Sequence, residues 1–401
     1  MTTLADQWGI HPEQFWVRGQ QPAQPVEFVE ELGLWNVYGH QEAARIFSDP
    51  RTYSSDLTMF FPEIADPSMS EGNLLQMDPP DHRKLRNLVS HAFTPKIVAD
   101  LEPRIHALTG ELLDAVADKQ SWELVADLAY PLPVIVIADL LGVPSGDREL
   151  FRHWVDALFA NANQFSLKDE SGEQAREFQK QQEQLQPMLD YLRAHAAERR
   201  TKPREDLLTQ LVQAEVDGDR LNDNQVVNFA SILLLAGHIT TTMLLGNTIL
   251  CLDAHPEQAA QVRADRSKVP GAIEESLRFL SPFSAVARRN TEEVELGGVR
   301  LPANQMLMVW VGAANRDARQ FDRPEVFDVT RDPNPHLGFG RGIHFCLGAP
   351  LARLEGRVAL NLLLDRFPGL RTDPEAPVTF MPSPNLTGVR SLPLLTGGAR
   401  S

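Results

Sequence analysis

The sequence predicts a mainly α-helical protein with a minor β region, and three observations carry that prediction. Residues 224–252 contain no Asp, Glu, Lys or Arg, so a helix there has no charged face to offer water and is surrounded by protein. Helical spacing of apolar residues dominates residues 81–141 and, beyond residue 186, runs on to Leu280, where Ser281-Pro282 stops it. Alternation of apolar and polar residues is confined to short runs near the two ends.

Taken in order, residues 26–28 and 35–38 form a short strand pair around Gly33, and a helix begins near Gln41. Pro50 and Pro62 bound an irregular segment, residues 54–76, rich in Met, Phe and Pro. The helices of residues 81–141 break at Thr94-Pro95 and again at Pro131 and Pro133. Residues 160–186 are rich in Gln and Asn with little to bury, and read as exposed helices and a turn forming a mobile cover. The uncharged helix then spans roughly 40 Å at 1.5 Å per residue. Hydropathy alone would let it cross a membrane. Asn224, Gln225, Asn228, His238, the Thr240-Thr241-Thr242 run and Asn247 are spread along it, without aromatic belts or flanking basic clusters, so it is a core helix and no membrane span is expected. Val294 and Leu296, the Gly297-Gly298 turn, Val299 and Leu301, then Met306, Met308 and Trp310 alternate as strands. Arg288 precedes this strand region. A polar loop, residues 315–335, leads to residues 339–348, a last helix covers 350–367, and 380–395 return to strand. Pairing between strands near both ends predicts one folded unit over residues 1–401 rather than two domains.

Composition narrows the function. The chain has 401 residues, 43% hydrophobic and 23% charged, which excludes collagenous, low-complexity and wholly disordered readings. A formal charge of −16 argues against a general nucleic-acid binder. The two cysteines, Cys251 and Cys346, lie far apart, so no disulfide framework is expected and a cytoplasmic location fits. The N-terminus lacks the basic start and apolar run of a signal peptide.

Cys346 sits in a glycine-rich turn immediately before a helix. Gly340, Gly342 and Gly348 let the backbone turn back under the sulfur, and amides at the helix start can donate to a thiolate and lower its pKa. His344 and Arg341 add donors and positive charge. A single thiolate without a second cysteine or an acidic ligand suits an axial iron ligand better than zinc. A buried structural cysteine is the other reading of this window, and it is the one that applies to Cys251, at the end of the apolar helix.

The pattern Phe339-x-x-Gly342-x-His344-x-Cys346-x-Gly348 resembles the heme-binding signature of the cytochrome P-450 monooxygenases at every defining position. Glu275-x-x-Arg278, Asn315-Arg316-Asp317, Phe327-Asp328, Asn334-Pro335-His336-Leu337 and Ala236-Gly237-His238-Ile239-Thr240-Thr241 resemble further family segments, in the family's order and over most of the chain. The resemblance implies the cytochrome P-450 fold, with heme b (iron protoporphyrin IX) between the long central helix and the cysteine loop. It implies Cys346 as the iron ligand, with Phe339, Gly340 and Gly348 around it, and His82, Arg86, Arg288 and His344 as partners of the heme propionates. The activity implied is insertion of one oxygen atom from O2 into a small, mostly apolar substrate, as hydroxylation or epoxidation, often in tailoring secondary metabolites.

Glu275 and Arg278 share one helix face, so they can act together on a third group; a solvated surface pair is the other reading of that spacing, and a buried network is what the resemblance implies. By resemblance the third group is an arginine of the loop before the cysteine, Arg331 here, although many relatives place it where this chain has Val326. Thr240 lies four residues after Ala236, and Thr241 four after Gly237, so their hydroxyls can bond back to the i−4 carbonyls and bend the helix. In the family this notch holds O2, with the Thr240 position steering protons. Most members carry Asp or Glu just before that threonine, whereas this chain has Ile239. Either His238, ordered water or substrate hydroxyls deliver protons instead, or Ile239 is a pocket wall. By resemblance the pocket draws on residues 54–76, the Gln- and Asn-rich cover, 233–241, 282–286 and 385–389, with Leu234, Phe283, Val286 and Leu386 making it mostly apolar.

Residues 1–80 hold three basic residues against twelve acidic ones, so the basic run from His82 to Arg86 stands out. Arg83, Lys84, Arg341, Arg353 and Arg357 make a surface suited to an acidic donor, a ferredoxin served by a ferredoxin reductase. No flavin or nicotinamide fingerprint is present. The alternatives are a peroxide-driven peroxygenase, a non-catalytic heme-binding module, and an enzyme whose substrate is tethered to a carrier protein.

Overall fold

A computed structural model describes residues 3–61, 71–90, 93–147, 150, 154, 167, 173–216 and 218–397. Parts of two sequence expectations, the Met-rich segment at 62–70 and most of the Gln- and Asn-rich cover before residue 173, lie outside the described residues.

The helices that frame the site are α1 (His40–Ser48), α2 (Asp81–Ser90), α3 (Glu102–Asp114), α4 (Pro131–Leu141), α5 (Glu173–Thr201), α6 (Asp223–Ala254), α7 (Val269–Phe279) and α8 (Ala349–Arg366). The uncharged helix α6 has 32 residues, about 48 Å at the α-helical rise. Asn222 and Gln225 cap its start reciprocally, each side chain accepting the other's backbone N–H. It is surrounded, as expected, by α4, α5, α7 and α8. Its threonines are satisfied locally: the Thr240, Thr241, Thr242 and Thr248 hydroxyls donate to carbonyls one turn earlier. Among the described residues it is the one helix apolar and long enough to cross a membrane, yet 67% of its most apolar window is buried inside the protein. Pro131 stands in the first turn of α4, where a missing N–H costs nothing, so this proline starts the helix instead of breaking it.

The minor β region is split as expected. Strands β1 (Val26–Val29), β2 (Leu34–Val37), β3 (Tyr53–Ser54), β4 (Ser121–Glu123), β5 (Val286–Asn290), β6 (Val294–Leu296), β7 (Val299–Leu301) and β8 (Met306–Val309) precede the cysteine loop, with β9 (Arg371–Thr372), β10 (Thr379–Phe380), β11 (Val389–Ser391) and β12 (Pro393–Leu395) after it. The main sheet has the order β1-β2-β8-β5-β3, with β8 parallel to β2, so chain separated by more than 250 residues is joined in one ladder.

Three strand features differ from the expectation. Arg288 does not precede the strand region but stands in the middle of β5, paired opposite Leu307, because the two arginines of Val-Ala-Arg-Arg-Asn hide an apolar alternation. β4 was not expected; three residues are too few for a period to show, and its pairing with β12 supplies the order. Residues 381–388 interrupt the C-terminal strand as a loop, since Pro382 and Pro384 have no N–H for a ladder.

Candidate active site

The cysteine loop is shaped by its glycines. Gly340 and Gly342 have φ of 68° and 70°, and a Cβ on Gly342 would lie 2.2 Å from the Phe47 carbonyl oxygen of α1. The Cys346 N–H donates to the Phe339 carbonyl (2.9 Å), which folds the loop back on itself. The sulfur faces the amides of Gly348 and Ala349 at the start of α8. Burial nevertheless pushes the Cys346 thiol up, against those amides and the charges of Arg86 and Arg353. The sequence-based expectation of a lowered pKa is therefore corrected: the donors are present, but desolvation outweighs them in the protein alone. Arg353 stacks over the Phe339 ring (4.6 Å) and is held by Glu274 of α7. Burial alone would raise Glu274, but hydrogen bonds from Arg353 and His336 bring its carboxyl down to about 2.

Beside this loop, His82 and Arg86 of α2, Arg288 of β5 and His344 converge. The His82 and His344 rings lie 4.4 Å apart, and the His344 Nε2 meets the Ser55 hydroxyl at 2.9 Å. His82 is 2% exposed and its Nε2 has no hydrogen-bond partner among the described residues. Arg288 is buried without a carboxylate ion-pair partner among the described residues, and burial pushes its guanidinium down to about 10 despite Asp78. With His82 Nε2 unpartnered and Arg288 without a carboxylate ion pair among the described residues, the two propionates of heme b would complete these donors, so the residues present fit that cofactor.

On α6, Ala236, Gly237 and Thr240 keep accessible surface although the helix is otherwise largely interior, and the Thr240 hydroxyl donates to the Ala236 carbonyl at 2.7 Å. The expected back-bonds of Thr240 and Thr241 are present, in a helix that runs unbroken through them. His238 lies off the Thr240 face. Two residues before Thr240 is about 200° around a helix, and the His238 ring packs edge-on against Tyr130 (5.1 Å), with Nδ1 3.1 Å from the Leu234 carbonyl. Burial pushes its imidazole down to about 4, so it is neutral.

The same helical phase sorts the pocket residues. Leu234 lies on the His238 side, in the core with Val134 and Ile137 of α4. Ile239, Met243 and Leu386 pack together, joined by Leu235 and Met381. Phe283 bridges to Leu386, while Val286 packs against the main sheet's core. The structure thus brings Ile239 and Leu386 together, pairs Phe283 with Leu386 only through the backbone, and replaces Leu234 by Leu235. Sequence reasoning missed Leu235, Met243 and Met381; a phase count from Ile239, four residues after Leu235 and four before Met243, would have found the first two. It also missed Glu355 of α8, which is buried with Oε2 unpartnered and its carboxyl pushed up to about 8 by burial, hence neutral.

Glu275 and Arg278 are both fully buried and bidentate, at 2.8 and 2.7 Å. Arg331 is the third member: its Nε lies 3.2 Å from both Glu275 oxygens, joined by Asn334 and the Asp328 amide. Val326, where many relatives have arginine, takes part through its carbonyl, which accepts from both Arg278 and Arg331.

A thiol loop capped by helix amides, a cluster of basic side chains beside it and a back-bonded threonine on the central helix fit a heme-thiolate protein. A family model for cytochrome P-450 matches residues 28–393, and the chain belongs to that family. Cyclomarin C epoxidase CymV of Salinispora arenicola is 44% identical over 378 residues, covering 94% of each chain. Erythromycin C-12 hydroxylase of Saccharopolyspora erythraea is 41% identical over 404 residues, covering 100% of this chain and 99% of that one. A solved post-tailoring hydroxylase, HmtN, involved in himastatin biosynthesis, shares 59% identity with a TM-score of 0.88, covering 99% of this chain and 100% of its own. The protein is a heme-binding cytochrome P-450 monooxygenase, with the mainly helical fold expected.

Proposed function

We propose that this monooxygenase tailors an apolar secondary metabolite by hydroxylation or epoxidation, in the cytoplasm, with residues 1–401 as one folded unit. The observation that carries this reading is the apolar wall of Leu235, Ile239, Met243 and Leu386 beside Thr240, in a chain whose relatives are named as hydroxylases and an epoxidase of such metabolites. Bound heme supplies O2 activation, which a thiolate ligand favours by promoting O–O cleavage. Cys346 is the iron ligand, and His82, Arg86, Arg288 and His344 hold the propionates. Phe339, Gly340 and Gly348 shape the loop that presents the sulfur. Ala236 and Gly237 leave room on the helix, and the Thr240 hydroxyl, hydrogen-bonded to the Ala236 carbonyl, passes a proton towards that space. Ile239, packed on Leu386, is a wall and not a relay. Thr240→Ala is expected to lower the ratio of product formed to reductant consumed about tenfold or more while the substrate still binds. An unchanged ratio would remove Thr240 from proton delivery.

Electrons come from a separate ferredoxin and its reductase. Arg83 and Arg341 are exposed on the cysteine side, while Arg353 and Arg357 are paired with Glu274 and Glu102 around an apolar cleft lined by Val98, Ile273 and Leu354. The net positive charge is smaller than a residue count suggests, which favours a weak, exchanging complex. The Debye length shrinks from about 10 Å at 0.1 M salt to about 3 Å at 1 M, and the rate of reduction by ferredoxin is expected to fall severalfold over that range. A rate independent of salt would exclude electrostatic docking.

A further inference from the structure

Behind the apolar wall lies a polar clamp that the reaction does not use directly. The loop at residues 381–388 carries Leu386 onto Ile239 and Met243 of α6. Its opposite side presents a row of backbone carbonyls to one side chain from the far end of the chain. Gln14, 0% exposed, points its Nε2 at the carbonyls of Ser383 (3.1 Å), Pro384 (3.1 Å) and Leu386 (3.0 Å). Its Oε1 accepts from the Thr387 hydroxyl at 2.6 Å. An amide has two N–H donors and one acceptor oxygen, so Gln14 is fully engaged, with one donor shared.

The clamp is anchored at both ends. Gln14 starts a short turn whose Trp16 is buried against Trp310 (5.3 Å), and a Cβ on Gly312 would lie 2.7 Å from the Trp16 ring nitrogen. Arg18 ties the same segment to the carbonyls of Ile10, His11 and Gln14. On the loop side, Asn247 of α6 donates to the Thr387 carbonyl (2.8 Å) and accepts from the Val389 amide (3.3 Å). A Cβ on Gly388 would stand 2.1 Å from Met243, so the loop is pressed on the helix. Asn247 and Gly388 settle the end of the loop, and the stretch that includes Leu386 is bridged to residues 282–284 (Ser284 N–H to the Asn385 carbonyl, 2.8 Å; Thr387 N–H to the Pro282 carbonyl, 3.0 Å) and held from behind by Gln14. Without the clamp, three buried carbonyls lose their donor and the loop must shift to recover one.

We propose that Gln14 is a positioning residue for substrate selection: by holding the carbonyls of residues 383–386 it sets how far Leu386 projects over α6, and so how bulky a ligand the space beside Thr240 admits. This rests on the reading of that space as the substrate pocket. It acts through Leu386 and touches no substrate.

The test uses heme-loaded protein and two probes that bind the iron and red-shift the Soret band. Imidazole fills only the space next to the metal, while 4-phenylimidazole extends a ring towards Leu386. In Gln14→Met, which keeps length and removes the hydrogen bonds, the Kd for 4-phenylimidazole is expected to change about tenfold, while that for imidazole changes less than about twofold. Leu386→Ala should show the same split, and Gln14→Met added to Leu386→Ala should change it no further, since both act through one contact. Equal effects on both probes, no effect on either, or additivity in the double variant would overturn the proposal, because a merely structural role lowers thermal stability without discriminating between ligands. An unchanged 4-phenylimidazole Kd in Leu386→Ala alone would instead overturn the pocket reading, and the proposal with it. If Gln14→Met does not accumulate as holoprotein, Thr387→Val removes the hydroxyl bond to Gln14, together with its contact to the Ser284 hydroxyl, and should give the same split, about threefold.

Discussion

Replacing Cys346 by serine is expected to abolish the thiolate signature in the spectrum of the reduced, carbon-monoxide-bound protein, and monooxygenation with it. A serine hydroxyl does not ionise in this environment and is a harder ligand than sulfur, so it cannot supply the electron donation that a thiolate gives to iron. The protein alone does not hold Cys346 as a thiolate, because burial outweighs the Gly348 and Ala349 amides. Bound iron would make the ionised form favourable, and the Gly348 and Ala349 amides with Arg86 and Arg353 would accommodate the charge. Cys251 cannot substitute: it is fully buried among core residues on α6, and burial pushes its thiol far up. A Cys346→Ser protein that kept the thiolate-type spectrum would assign the ligand elsewhere.

Glu275→Ala is expected to cost about 3–5 kcal/mol of stability and to leave little heme-loaded protein, because removing one partner of a buried pair strands the other charge. Here two guanidiniums are stranded, those of Arg278 and Arg331, together with the Asn334 amide. The effect reaches the cysteine because the same arginines organise the loop before it. Arg278 donates to the carbonyls of Asn315, Pro324 and Val326, and Arg331 to those of Asp322, Arg323 and Val326. Asn315 in turn accepts from the Leu337 amide, just before Phe339. Urea unfolding with an unchanged m-value and the Soret absorbance per mole of protein check both parts. A loss below about 1 kcal/mol would place the pair with exposed surface ion pairs.

The parts of the site legible in the sequence are those written in contiguous chemistry. The cysteine loop needs glycines at positions where the backbone has positive φ or meets Phe47, so its residues can be read directly. Glu275 and Arg278 share a helical face, and Thr240 and Ala236 are one turn apart, so short spacing alone implies their contacts. Arg331 was identified by resemblance and falls on Glu275, with the Val326 carbonyl completing the network. Where the reading slipped, the missing quantity was orientation or long-range pairing. Leu234 and Leu235 are equally apolar, and only the phase of α6 against α4 sends the first to the core and the second towards Leu386. His238 has chemistry suited to a relay but stands on the opposite face of the helix.

Residue types and spacings by themselves determined that this chain is mainly helical and buries an uncharged helix, because both depend on interactions within a few residues; resemblance of the whole cysteine signature to a family, and not spacing alone, pointed to Cys346 as the candidate ligand. Only the tertiary structure decided that Arg288 lies inside a sheet, that His82 beside His344 has an Nε2 without a partner among the described residues, and that Gln14 grips a loop 370 residues away. Those facts arise from burial and from which distant carbonyls and rings share a space, and a one-dimensional pattern carries neither.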